Sequence, residues 1–173
     1  MARSTYSIGD VVVYGRQGVC RVEAVGAPPV ATADASKAYY TLALVHRAGR
    51  IYAPTDTRTS MRPVITREAA LALMERIPDI DESVYQAPDT CTLKQHYDAL
   101  LSSDDCDDLV HIIKSIWVKR QSLAQTGKLL GQLESQYLRH AEEMLYDELA
   151  VALGVPRSQV QSHIEEAVRA LTD

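Results

Sequence analysis

The hydrophobic pattern changes its period once along the chain. Up to about residue 64, apolar and polar residues alternate in short runs, which is typical of half-buried β-strands. From Thr66 onward, apolar residues recur every three or four positions, as they do in amphipathic helices. The change of period predicts an α+β protein with two domains, residues 1–64 and residues 65–173.

The N-terminal domain is predicted to consist of short strands that follow one hairpin. Two β-branched runs, residues 11–14 and 19–25, flank a loop that begins at Gly15 and ends at Gly18. Glycine accepts the positive φ that such a connection needs. Further strands are predicted at residues 38–46, 50–54 and 61–64, after a Pro- and Ala-rich loop at residues 27–36. Strands this few and short cannot form a sandwich, so we expect a small Tudor-like or SH3-like β-barrel.

The C-terminal domain is predicted to be an all-α helical bundle. Thr66 is the expected N-cap of its first helix, and Gly154 is expected to follow the longest helix in a left-handed conformation. The predicted helices run from Thr66 to Pro78, over residues 92–101, from Ser103 onward, over residues 133–153, and from Pro156 onward.

Four aspartates, at positions 104, 105, 107 and 108, crowd the start of the third predicted helix. Carboxylates in a first turn complement the helix dipole, which favours a helix start. A Ca²⁺ or Mg²⁺ loop is the alternative, but the glycine and terminal glutamate of an EF-hand are missing.

Composition places the chain among ordinary globular proteins. Of its 173 residues, 46% are hydrophobic and 24% are charged. No apolar run approaches the length of about 18 residues that a membrane span needs, and the N-terminus lacks the pattern of a secretion signal. Three cysteines without regular spacing indicate reduced thiols, so a cytoplasmic protein without a membrane partner is expected.

The charges are distributed unevenly between the two predicted domains. Residues 1–64 contain eight basic and four acidic side chains, a net charge of +4, whereas residues 65–173 contain ten basic and nineteen acidic ones, a net charge of −9. This asymmetry indicates two modules with different surroundings, and a net acidic domain is not, as a whole, a nucleic-acid surface.

The sequence contains no recognisable catalytic motif. Phosphate-binding glycine loops, the Gly-x-Ser-x-Gly elbow and the His-Glu-x-x-His zinc motif are all missing. Two Cys-x4-His pairs, Cys91/His96 and Cys106/His111, do not have the spacing of a zinc knuckle. We therefore expect no enzyme, cofactor, metal site or small-molecule substrate.

One basic stretch contrasts with the acidic C-terminal half. Residues 109–133 contain no carboxylate. They include Lys114, Trp117, Lys119, Arg120 and Lys128. Two interpretations remain open: Trp117 packs in the core beside solvated lysines, or the stretch contacts nucleic acid or an acidic partner through phosphate neutralisation and stacking.

A second candidate surface lies at the turn between the third and fourth predicted strands. Arg47, Arg50 and Tyr52 cluster there, and arginine and tyrosine are enriched among interface hot spots. The strand edge that ends at Pro54 is also suited to pairing with a partner strand. The alternative is a solvated hairpin tip.

Five segments carry a resemblance that spans nearly the whole chain. They are IGDVVVY (residues 8–14) with Gly18, YYTLAL (residues 39–44), IYAPTD (residues 51–56), MRPV (residues 61–64) and LRHAEEMLYDELA (residues 138–150). These segments resemble the CarD/CdnL-type bacterial transcription regulators, whose RNA-polymerase-interacting domain is shared with transcription-repair coupling factor.

The resemblance implies a function in transcription without catalysis. The barrel would bind the RNA polymerase β subunit, mainly through residues 50–54, which adds Ile51 and Pro54 to the contact set. The helical domain would contact promoter DNA near the upstream edge of the transcription bubble and stabilise the open complex. A protein-interaction adaptor that uses the barrel without binding DNA is the alternative.

The family's tryptophan wedge has no counterpart at the matching position. The family often carries a tryptophan with neighbouring basic residues at the start of the helix before the Ser103 turn. Residues 90–97 of this chain contain no tryptophan and only one basic residue, Lys94, which joins the predicted DNA contacts. Trp117 matches a different position, so the resemblance carries polymerase binding over better than the wedge.

Overall fold

The computed structural model describes residues 6–27, 31, 34 and 36–171. The chain divides into two units, Met1–Val64 and Ile65–Asp173. An antiparallel sheet forms the first unit and five helices form the second, so the α+β class is confirmed. Most of the loop predicted at residues 27–36 lies outside the described residues.

The N-terminal sheet has the order β4-β3-β2-β1-β5. Its strands are β1 (Val11–Tyr14), β2 (Gly18–Gly26), β3 (Tyr39–Leu44), β4 (Arg50–Pro54) and β5 (Met61–Pro63). The predicted hairpin is confirmed: a 3₁₀ turn at Gly15–Gln17 joins β1 to β2. Gly15 has a φ of +47°, and a Cβ there would lie 2.7 Å from Cγ2 of Thr59, so this position requires glycine.

The prediction of a closed barrel is wrong. Within the described residues, β4 and β5 each pair on one side only and form the two open edges of the sheet. β5 has three residues, and both edge strands end in proline, at Pro54 and Pro63. Proline has no N–H to donate across a ladder, so these short strands cannot close the sheet along their length.

One face of the sheet carries the core of the first unit. Its buried side chains are Val12, Cys20, Val22, Tyr40, Leu42 and Ala53. Burial raises the pKa of the Cys20 thiol to about 11, so this cysteine remains a neutral packing group. A β-bulge between Val22 and Ala24 reverses the alternation of β2, which leaves Ala24 exposed although strict alternation predicts it inside.

The second unit contains α1 (Arg67–Arg76), α2 (Thr90–Leu101), α3 (Cys106–Gln125), α4 (Gln132–Leu153) and α5 (Arg157–Arg169). Its predicted caps are confirmed. The Thr66 hydroxyl accepts from the Ala69 N–H, and Gly154 ends α4 with a φ of +66°. Asp105 caps α3, so the aspartate cluster is a helix start.

The helical core is built mainly from α3 and α4. The four apolar positions predicted to face inward on α3 are all buried: Leu109, Ile112, Ile113 and Ile116. Four members of the predicted stripe of α4 are also buried: Leu138, Ala141, Leu145 and Leu149. Among the described residues, no helix is both long and apolar enough to span a membrane.

Candidate functional site

The β4 strand offers a free hydrogen-bonding edge. It pairs with β3 on one side, in the register Leu42 to Ile51 and Tyr40 to Ala53. Its other side pairs with no strand among the described residues. Such an edge is a template for an added strand.

The register shows which backbone groups face that edge. At the ends of the ladder, Thr55 donates to the Ala38 carbonyl at 3.0 Å and Leu44 donates to the Gly49 carbonyl at 3.1 Å. In an antiparallel ladder, residue pairs that exchange backbone hydrogen bonds alternate with pairs that do not, and residues of the second kind point these groups away from the partner strand. Arg50 and Tyr52 belong to pairs of the second kind. Arg50 and Tyr52 therefore point their N–H and C=O groups away from β3.

The outer face of the sheet positions charged side chains beside this edge. Arg21, Ala43 and Arg50 lie in one row across β2, β3 and β4. The Arg50 Nε donates to Oε2 of Glu23 at 2.7 Å, and this bond raises the pKa of the Arg50 guanidinium. Because the two side chains are 61% and 38% exposed, the pair adds little stability and its charges stay accessible to a partner.

A shallow depression of about 450 Å³ lies next to the free edge. It is lined by Glu23, Ala43, Leu44, Arg47, Ala48, Gly49, Arg50 and Tyr52. Arg47 donates from Nη2 to the Gln17 carbonyl at 2.9 Å, which ties the turn to the first hairpin. The structure thus brings the predicted cluster of Arg47, Arg50 and Tyr52 together around one concave surface.

The fourth strand divides the remaining predicted contact residues between two faces. Ile51 packs against the buried core of the unit, on the same face as Ala53. Pro54 shares the opposite face with Arg50 and Tyr52, following the alternation of the strand. Ile51 therefore supports the contact surface from beneath, while the side chains of its neighbours are presented to a partner.

The predicted basic surface of the second unit does not include Lys114. The sequence predicts a solvent-facing cation there, but the side chain is completely buried. Its Nζ donates to the carbonyls of Ile77, at 2.8 Å, and of Ile80. It also forms an ion pair with Glu82 at 3.1 Å. Lys114 thus binds the segment after α1 to α3 and cannot reach a phosphate.

Lys119 and Trp117 are also engaged within the helical unit. The Lys119 ammonium lies 2.7 Å from Oε1 of the buried Glu134. Trp117 is partly buried against the core, and the Arg120 guanidinium lies over its ring, 4.6 Å from the centroid. Of the two interpretations of Trp117, the structure favours packing.

Two of the predicted DNA contacts remain on the surface. Lys94 is exposed and forms an ion pair of 3.3 Å with Asp98, one turn along α2. Lys128 is exposed in the loop between α3 and α4, and its backbone N–H donates to the Leu123 carbonyl. The predicted basic contacts are therefore divided between buried, ion-paired and exposed positions.

The four Cys and His residues of the two spaced pairs lie in different environments. Cys91 is exposed, and the Cys106 thiol donates to Glu148. His111 contacts the Asp81 carbonyl at 2.6 Å, and His96 stacks on Tyr85. Among the described residues, no group of three or more His, Cys, Asp or Glu side chains is arranged to hold a metal ion.

The sheet unit matches a known family model. Residues 6–65 match the model of the CarD-like/TRCF RID domain. This match identifies the sheet unit as a CarD-like/TRCF RID domain. The match ends at the start of the helical unit. A comparison of the whole chain with curated protein sequences finds no match.

Sequence reasoning missed one feature of the RID domain surface and anticipated another. The pairing of Glu23 with Arg50 was not expected, because strand β3 lies between β2 and β4. Only the register of the three strands brings the two side chains together. The edge at β4 was expected as a site for strand pairing, although the expected closed barrel disagreed with the two open edges of the described sheet. The proline at position 54 was the one signal in the sequence that indicated an edge.

Proposed function

We propose that the protein is a transcription regulator that binds the β subunit of RNA polymerase through its RID domain. The observation that carries the proposal is the free edge of β4 within residues that match the RID family model. The proposed activity is binding, and it involves no catalytic step and no cofactor. The concave surface beside the edge supports a protein partner rather than a small substrate.

The proposed contact is strand addition to β4. A partner strand would take the outward N–H and C=O groups of Arg50 and Tyr52, with Pro54 marking the end of the available edge. The Arg50 and Tyr52 side chains, together with Arg47, would supply specificity from the outer face. Glu23 would orient Arg50 through their hydrogen bond.

Replacing Tyr52 with proline is expected to weaken binding to the polymerase β subunit at least about tenfold beyond the effect of Tyr52→Ala. Proline removes the outward N–H, whereas the ladder to β3 uses the backbone of its neighbours. Alanine removes the side chain but keeps the N–H. The measurement is the dissociation constant of the full chain for the isolated β-subunit lobe or the whole polymerase.

The alanine variant is the matched control for the proline variant, and circular dichroism verifies that both retain the fold. Equal affinities for the two variants would contradict strand addition. Unchanged affinity for both would contradict the contact surface as a whole.

We further propose that the helical unit contacts promoter DNA in the polymerase complex, near the upstream edge of the transcription bubble, and so stabilises the open complex. The support comes from the exposed cations Lys94 and Lys128, whereas Lys114 and Lys119 are engaged inside the unit. The engagement of these two lysines and the net charge of −9 of residues 65–173 are the observations that support the alternative, an adaptor that does not touch DNA.

The double variant Lys94→Glu/Lys128→Glu is expected to lower polymerase-dependent promoter affinity about tenfold and to flatten its salt dependence by about two counterions. The measurement is promoter protection over a series of salt concentrations. Lys37→Glu, which changes a charge in the other unit, is the control. Unchanged protection by the double variant would establish the adaptor instead.

A further inference from the structure

A cavity of about 290 Å³ lies among α3, α4 and α5 of the helical unit. Four of its lining side chains are aliphatic: Ile113, Leu138, Ile164 and Val168. All four of these side chains are buried in the unit. The volume is near the lower end of the range of small-molecule pockets in proteins.

Two hydrogen-bond donors without an anionic partner line the cavity. The Trp117 Nε1 atom is buried and has no hydrogen-bond partner among the described residues. An unsatisfied buried donor is uncommon in native structures and calls for an explanation. The Arg120 guanidinium stacks on the same indole ring. Within the described part of the chain, Arg120 forms no ion pair with a carboxylate.

The same cavity also presents a carboxylate. Glu142 is half-buried, and burial raises the pKa of its carboxyl group. Arg120 acts on it electrostatically but is not within ion-pair distance, which leaves a gap between the two charges. The other two charged residues of the lining form an exposed ion pair, with Nη2 of Arg169 3.6 Å from Oε2 of Glu165.

We propose that this cavity binds an apolar α-amino acid in its zwitterionic form. The ligand carboxylate would accept from Arg120 and from Trp117 Nε1, and its ammonium group would donate to Glu142. The apolar side chain would occupy the face formed by Ile113, Leu138, Ile164 and Val168. The ligand would give Trp117 Nε1 a hydrogen-bond partner, give Arg120 and Glu142 partners of opposite charge, and leave the net charge of the site unchanged.

Ligands with a single charge fit the cavity less well. A simple carboxylate would pair with Arg120 but would lie close to the partly buried Glu142 carboxylate. A simple amine would pair with Glu142 but would face Arg120, and each mismatch leaves a desolvated charge without a partner. The proposal does not depend on polymerase binding, because the site lies wholly within the helical unit.

Trp117 provides a direct readout, because it is the only tryptophan of the chain and it lines the cavity. We expect L-leucine and L-phenylalanine to change its fluorescence in a saturable way. Isocaproate and isoamylamine, which keep the leucine side chain but lack one of the two charged groups, are expected to bind at least about tenfold more weakly. Equal binding of either analogue, or no saturable change with both amino acids, overturns the proposal.

Variants of the two charged residues test the assigned contacts. Arg120→Gln and Glu142→Gln are each expected to weaken L-leucine binding at least about tenfold. Glu75→Gln, which removes an exposed carboxylate of α1 outside the cavity, is expected to leave it unchanged. Unchanged binding in both cavity variants overturns the assignment. The comparison of analogues on the unmodified chain remains decisive if a variant does not fold.

Discussion

Replacing Lys114 with methionine is expected to lower the free energy of unfolding of the helical unit by about 3 kcal/mol. The lysine is completely buried, and its Nζ donates to the carbonyls of Ile77, Pro78 and Ile80. Methionine preserves the length and apolar character of the stem but has no donor. The carbonyl groups after α1 would lose their partner, and the segment they belong to would lose its attachment to α3.

Urea unfolding followed by Trp117 fluorescence measures this loss, since the only tryptophan reports on the helical unit. The control is Lys128→Met, which removes an exposed lysine and is expected to change the free energy by less than about 0.5 kcal/mol. A loss below about 1 kcal/mol for Lys114→Met would show that water replaces the ammonium at little cost.

The second large effect is expected at Glu134, where alanine should lower the free energy of unfolding by about 3 kcal/mol. The Glu134 side chain is almost fully buried, and its Oε1 accepts from Lys119 at 2.7 Å and from the Tyr97 hydroxyl at 3.1 Å. Burial, with the nearby Glu134 charge, raises the pKa of Tyr97 and keeps its hydroxyl protonated as a donor. Alanine would leave a half-buried ammonium and a buried hydroxyl without their acceptor.

The same fluorescence-detected unfolding measures the Glu134 variants. Glu134→Gln keeps a carbonyl oxygen and should lose less stability than Glu134→Ala, while Glu75→Ala, at an exposed position of α1, should be nearly neutral. If Glu134→Ala were as stable as the glutamine variant, the hydrogen bonds to this side chain would contribute little.

The local elements of the fold could be predicted from the sequence because their signals are local. The boundaries of β4 agree with the predicted residues 50–54, since proline and the preceding turn delimit the strand. Thr66 and Gly154 marked helix ends through side-chain and backbone preferences that act within one turn. Closure of the sheet was not a local property, and its prediction was wrong.

The candidate contact surface could be predicted in part. Arg47, Arg50 and Tyr52 are close in sequence, so a turn was sufficient to bring them together. The partner of Arg50 could not be identified, because Glu23 is 27 residues away and reaches it across β3 through the strand register and a bulge. The cavity among α3, α4 and α5 was likewise invisible, since its lining comes from three helices.

The basic stretch shows most clearly where sequence reasoning fails. Residues 109–133 lack carboxylates, yet the carboxylates that pair with their lysines come from outside the stretch, at Glu82 and Glu134. The basic residues of this stretch therefore do not form one positively charged surface in the folded unit. The prediction of Trp117 and Lys114 as DNA contacts depended on both facing solvent, and packing against the core decided otherwise.

The sequence by itself determined the α+β class, the change from strands to helices near residue 65, and the family of the first unit. Hydrophobic period, caps and turn residues act over a few positions, so the chain specifies them directly. Only the tertiary structure decided that the described sheet stays open, that Lys114 is buried, and that Arg120 and Glu142 line a cavity. Each of these depends on groups far apart in sequence, whose contacts exist only once the elements have packed.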